Sequence, residues 1–200
     1  MKQKHIPARC FFYLFGMLVL AMGLIVNIKA GLGSSAIMSV AYTISEGAGV
    51  NFGDMTFVIY CLFIAAQMII NGKDRSWLDL LQLPLSLMFT RFMNLFKAVI
   101  PYEHGYLPTD LLVLLAGIVL TGIGAAMTVD MQLIPNSSDG IVNSIARRCG
   151  LELGFTKNIF YCGCFAVSLL VGAFFGDPLL VICLGTVISM LGVVRAVASF

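Results

Sequence analysis

Two hundred residues, 60% of them apolar and only 11% charged, cannot fold as a water-soluble domain, because too little polar surface remains to cover the outside. The chain must therefore use lipid as part of its solvent, which predicts an all-α, polytopic helical membrane protein. A net charge of +2, carried by scattered rather than clustered basic residues, gives no footprint for nucleic acid.

A helix needs about 20 apolar residues to cross the hydrocarbon core. Residues 10–28 supply the first such stretch. Lys2, Lys4 and Arg9 precede it, as they would in a signal peptide, but its length and the five stretches that follow predict a retained helix. A turn, Gly31-Leu32-Gly33-Ser34-Ser35, then opens a short apolar segment over residues 36–46. Residues 55–71 and 77–98 form the second and third spans, and 110–129 the fourth. A second polar turn, Ile134-Pro135-Asn136-Ser137-Ser138-Asp139-Gly140, opens a short segment over 141–149. Residues 156–175 and 179–198 complete six spans. Each short segment amounts to about 15 Å of helix, too little to cross a bilayer, so both are expected to be re-entrant or interfacial.

The chain also reads as one unit written twice. Gly49-Val50-Asn51-Phe52-Gly53 is echoed by Gly150-Leu151-Glu152-Leu153-Gly154, and Tyr60-Cys61 by Tyr161-Cys162. The same offset pairs Gly16 with Gly117, Gly23 with Gly124 and Ala21 with Gly122. Small residues on one helix face permit close packing, which is the expected role of these glycines. The reading is a single membrane domain over 1–200, with one repeat at about 10–100 and the other at about 110–198.

Charge sets the orientation. With the N-terminus inside and six spans, the cytoplasmic side collects Lys2, Lys4, Arg9, Lys73, Arg75, Arg147, Arg148, Lys157 and Arg195, and the outer side keeps only Lys29 and Lys97. Both termini are then cytoplasmic. A three-span unit returns upside down, so the expected repeat is inverted, with its working site at the repeat interface.

The run Ala30-Gly31-Leu32-Gly33-Ser34-Ser35, the later Gly49-x-x-x-Gly53 and Pro135-x-x-x-Asp139-Gly140-Ile141-Val142 resemble the YczE/YyaS/YitT group of bacterial integral membrane proteins, nearest to a branch with a domain of unknown function. The resemblance spans essentially the whole chain and implies bacterial origin and an inner-membrane location, without supplying a substrate. Ala36 stands where similar members carry proline, so a rigid turn does not carry over there.

Candidate site residues come first from the two turns. Ser34, Ser35, Ser137, Ser138 and Asp139 precede short helices whose free N–H groups suit an anion or carboxylate, and Asp139 could instead accept a cation or proton. Helix capping alone also explains such residues. Arg91 lies within the third span, where a charge is expensive; the sequence does not choose its partner, and Asp130 and Asp139 are candidates on the other half. Asn143, one turn beyond Gly140, could face the same cavity. Cys10, Cys61, Cys149, Cys162, Cys164 and Cys183 fall mostly in apolar stretches without metal-type spacing. His5 and His104 stand alone, and no nucleophile elbow, dinucleotide fingerprint or phosphate loop occurs. Catalytic residues, metals and cofactors are therefore not expected.

The expected function is a small-solute permease working by alternating access. Its partners would be the lipid bilayer and an unknown solute or ion, with no nucleic acid. The alternatives are a non-transporting membrane scaffold or regulator, or the substrate-capture subunit of a larger transport complex. Glycine-faced helices would also permit a homodimer or a partner membrane protein.

Overall fold

The computed structural model describes residues 6–31, 35–74, 76–131 and 133–175. Among them there are seven α-helices and no strand: α1 (Ile6–Lys29), α2 (Ala36–Ala48), α3 (Phe52–Asn71), α4 (Gln82–Val99), α5 (Leu107–Asp130), α6 (Ser137–Cys149) and α7 (Leu153–Phe174), with short 3-10 turns at Gly72–Asp74 and Trp77–Leu81. Four helices, α1, α3, α5 and α7, are long and apolar enough to cross a membrane. Large apolar side chains crowd their outer faces, Phe11, Leu62, Leu112 and Leu170 among them. Water would not tolerate that surface, whereas lipid requires it.

The third expected span starts later than expected. Pro84 lacks a backbone N–H, and its ring clashes with a carbonyl one turn back, so proline is tolerated only near a helix start. Trp77–Leu81 accordingly winds as a 3-10 turn, and α4 begins only at Gln82, two residues before Pro84. With Arg91 and Lys97 on its 18 residues, α4 is not among the helices that meet the spanning criterion. The expected sixth span at 179–198 lies outside the described residues.

Helix bounds follow the offset seen in the sequence. Adding 101 to 6 and 29 gives 107 and 130, the bounds of α5; adding it to 36 and 48 gives 137 and 149, those of α6. Adding it to 52 gives 153, where α7 starts. We call residues so related counterparts. α2 and α6 have 13 residues each and end alike, on Gly49 (φ 65°) and its counterpart Gly150 (φ 64°), left-handed positions that an L side chain rarely adopts.

The main contact is between α1 and α5. A Cβ built on Gly23 would lie 2.5 Å from the Thr121 backbone N, and one on Gly124 would lie 2.4 Å from the Leu20 N. The two backbones touch there, so no side chain fits at those positions. Asn27, itself buried, donates from Nδ2 to Thr121 Oγ1 at 3.2 Å across the seam. Around this crossing α2 packs on α7, and α6 packs on α3. Thr43 and Ser168 bond hydroxyl to hydroxyl at 2.9 Å in the first of those interfaces.

Gly124→Leu is expected to destabilise the protein by at least about 2 kcal/mol, because the helices must separate to admit the side chain. Gly163→Leu, facing open space on α7, should cost well under about 1 kcal/mol. Thermal unfolding of both variants in detergent checks this, and equal losses would contradict the seam.

Candidate functional site

The start of α2 and the start of α6 reach one cavity of about 100 Å³. Ser35, the residue before α2, is extended (φ −61°, ψ 148°), and its side chain makes no capping bond. The first turn of α2 holds no acidic residue, only Ala36, Ile37 and Met38, all lining the cavity. Its first N–H groups therefore lack an in-helix partner and carry partial positive charge. α6 is terminated differently. Asn136 Oδ1 accepts from the Ser137 N–H at 2.8 Å, and Asp139 adds a carboxylate to the first turn.

Lys157 of α7 meets Asp139 at 2.9 Å, with about a third of each side chain exposed. Pairing lowers the cost of holding either charge where water is limited. The Lys157 ammonium also lies 5.9 Å from the Tyr161 ring centroid. Tyr60, fully buried on α3, accepts from Asn136 Nδ2 at 3.5 Å and stacks on Phe89 with ring centroids 6.1 Å apart. Both tyrosines line the cavity. A second, larger cavity of about 400 Å³ adjoins it, and Asn136, Asp139 and Lys157 belong to both linings. The ion pair is thus part of the wall common to the two.

Of the expected site residues, Ser35, Ser138 and Asp139 come together at the smaller cavity, and Asn143 lines the larger one. Ser34 lies outside the described residues. Ser137 turns away from the central cavity and shares a 2.6 Å hydroxyl contact with Ser86 of α4. Ser137, Ser138 and Asp139 belong to the first turn of α6, which starts before residue 141, rather than to the loop.

Arg91 is corrected. It bonds Asp54, in the first turn of α3, at 3.0 Å, and both side chains are exposed. Neither candidate partner holds it: Asp139 is taken by Lys157, and Arg91 lines neither of these two cavities.

Residues 7–200 match a family of unknown function, DUF6198. The chain belongs to this family. It is also similar to the uncharacterised membrane protein YczE of Bacillus subtilis (strain 168), 24% identical over 159 residues, which cover 79% of this chain and 72% of that protein. No solved structure matches. The DUF6198 match takes in both short helices and the tyrosines between them, so the cavity lies wholly within the family's extent.

Lys157, Asn136, Tyr60 and Tyr161 are site residues that sequence reasoning did not select. The tyrosines stood out as repeat markers, and that was the usable signal: a pair at one offset, near the middle of two counterpart spans. Lys157 looked like a cytoplasmic charge at the edge of a span, but α7 starts at Leu153, which places it more than a turn inside the helix.

Lys157→Met is expected to destabilise by about 1–3 kcal/mol, less than a fully buried broken pair, because the partner carboxylate retains access to the cavity. Adding Asp139→Asn should restore most of that loss. A double-mutant cycle on thermal unfolding reads the coupling, and strict additivity would mean that the pair is not formed. Arg91→Gln should cost under about 1 kcal/mol, as exposed pairs do.

Proposed function

We propose that the protein is a small-solute carrier of the cell membrane, non-enzymatic, working by alternating access between two three-span halves of opposite orientation. Six spans with both termini cytoplasmic complete the arrangement. The observation that carries the proposal is the composition of the central cavity, whose lining comes in counterpart pairs: Ser35 with Asn136, Met38 with Asp139, and Tyr60 with Tyr161. A cavity built twice over from equivalent positions is what a two-fold axis through it would produce.

The packing supports the same axis. Gly16 packs against Gly124, while its counterpart Gly117 adjoins the counterpart of Gly124, Gly23. Such reciprocity is the mark of an isologous interface. Because the earlier residue of α1 meets the later residue of α5, the two helices run antiparallel, and an axis exchanging them lies across them, in the plane of the membrane. The exchange of partners between α2–α7 and α6–α3 follows the same rule. Carriers of this design hold their solute where interrupted helices meet near the midplane.

The chemistry of the cavity favours a small solute with an anionic group. Lys157, the hydroxyls of Ser35, Ser138 and the tyrosines, and the free N–H groups at the start of α2 are donors. The carboxylate of Asp139 is already engaged by Lys157. A solute anion would compete with Asp139 for the ammonium and open the wall between the two cavities.

Single cysteines at Ser35 and Ser138, in a protein stripped of its six native thiols, test the proposal with membrane-impermeant reagents applied from each side. Both positions should label, from opposite faces or in a manner that switches with added solute. Labelling of both from one face only, or of neither, would remove the basis for alternating access. A stoichiometric partner that co-purifies with the protein would then favour the scaffold or capture-subunit reading.

A further inference from the structure

A separate pocket of about 280 Å³ lies where the end of α3 meets the last turns of α6, lined by Ile70, Asn71, Ser144, Arg147 and Arg148. Arg147 donates from Nη2 to Asn71 Oδ1 at 3.2 Å. That bond occupies one guanidinium donor at the pocket and leaves others free. Neither arginine forms an ion pair among the described side chains.

The counterpart positions are built in the opposite way. Glu46, counterpart of Arg147, is paired with Lys97 at 3.6 Å. Gly47, counterpart of Arg148, lies under the Phe175 ring, 2.5 Å from where a Cβ would stand. One notch is neutralised and plugged by an aromatic ring; the other is open and cationic. Its apolar wall, Ile70, adjoins Ile69, which is 79% exposed on the outer face of a spanning helix. A ligand suited to both surfaces carries an anionic group beside a hydrocarbon chain.

We propose that this pocket binds the phosphodiester headgroup of an anionic phospholipid, with Arg147 and Arg148 as its donors and an acyl chain lying along Ile69 and Ile70. Guanidinium groups match phosphate oxygens two at a time, and a basic pocket beside a spanning helix suits such lipids. The proposal is independent of whether the protein carries a solute.

The test is thermal unfolding in nanodiscs of phosphatidylcholine alone and of phosphatidylcholine with phosphatidylglycerol. The wild type should gain several degrees from phosphatidylglycerol. Arg147→Gln/Arg148→Gln should lose at least half of that gain, and Arg91→Gln should keep it. Arg147→Lys/Arg148→Lys, which retains the charge and guards against misfolding of the neutral variant, should also lose at least half. An equal gain in wild type and both double variants, or no gain in the wild type, overturns the proposal. Millimolar inorganic phosphate in phosphatidylcholine nanodiscs should have no effect; a gain matching that of phosphatidylglycerol would assign the pocket to soluble phosphate and overturn the lipid assignment.

Discussion

The backbone contact between α1 and α5 is the constraint on which the remaining structure depends. Lipid offers no hydrophobic drive to bring apolar helices together, so their association rests on packing and on the few hydrogen bonds that close approach allows. Glycine at 16, 23, 117 and 124 provides that approach, and the Asn27–Thr121 bond forms only because the seam is this tight. The crossing also sets the cavity: Asn27 and Thr121 are at once part of the seam and part of the cavity lining. A shift of α1 along α5 would therefore reshape the site as well as the core.

The start of every helix leaves backbone donors without in-helix partners, and such groups are costly wherever water cannot reach them. The two halves answer this differently. α6 supplies its own partners, Asn136 and Asp139, whereas α2 presents Ser35 without a capping bond and an apolar first turn. Lys157 follows from the same difference, because a carboxylate placed at Asp139 calls for a counter-charge, and Thr56 at the counterpart position has none to answer. A framework that is nearly duplicated in helix length and termination thus carries unequal chemistry, concentrated at the start of α6.

Much of this was legible in the sequence, for a physical reason. Glycines that must admit a neighbouring backbone and glycines that must adopt a left-handed conformation cannot be replaced freely, so Gly16, Gly23, Gly49, Gly117, Gly124 and Gly150 mark the same events in both halves. Polar turns before short apolar segments likewise marked Ser35, Ser138 and Asp139. What failed were inferences about helix bounds. Hydropathy extended the third span back to Trp77, although the α-helix begins only at Gln82, two residues before Pro84. The same measure started the second short helix after its polar residues, although Ser137 to Gly140 are helical. Pairing was out of reach for a different reason: Lys157 with Asp139, and Arg91 with Asp54, depend on which helices pack, and hydropathy is silent on that.

An ion pair in the common wall of two cavities has a particular energetic position. Held closed, it neutralises both charges; separated, each charge is left without its partner where little water is at hand. A solute anion is one such partner for Lys157, and the N-terminus of α6 is another for Asp139, which already sits in its first turn. On the carrier reading, the wall would open at tolerable cost when a suitable solute is present and stay shut otherwise. That difference would couple occupancy to access, and it requires the charged residues to lie on one half only. A matching pair on the α2 side, where Met38 and Thr56 stand as counterparts of Asp139 and Lys157, would hold the cavity closed from both directions and leave a solute less to gain by entering.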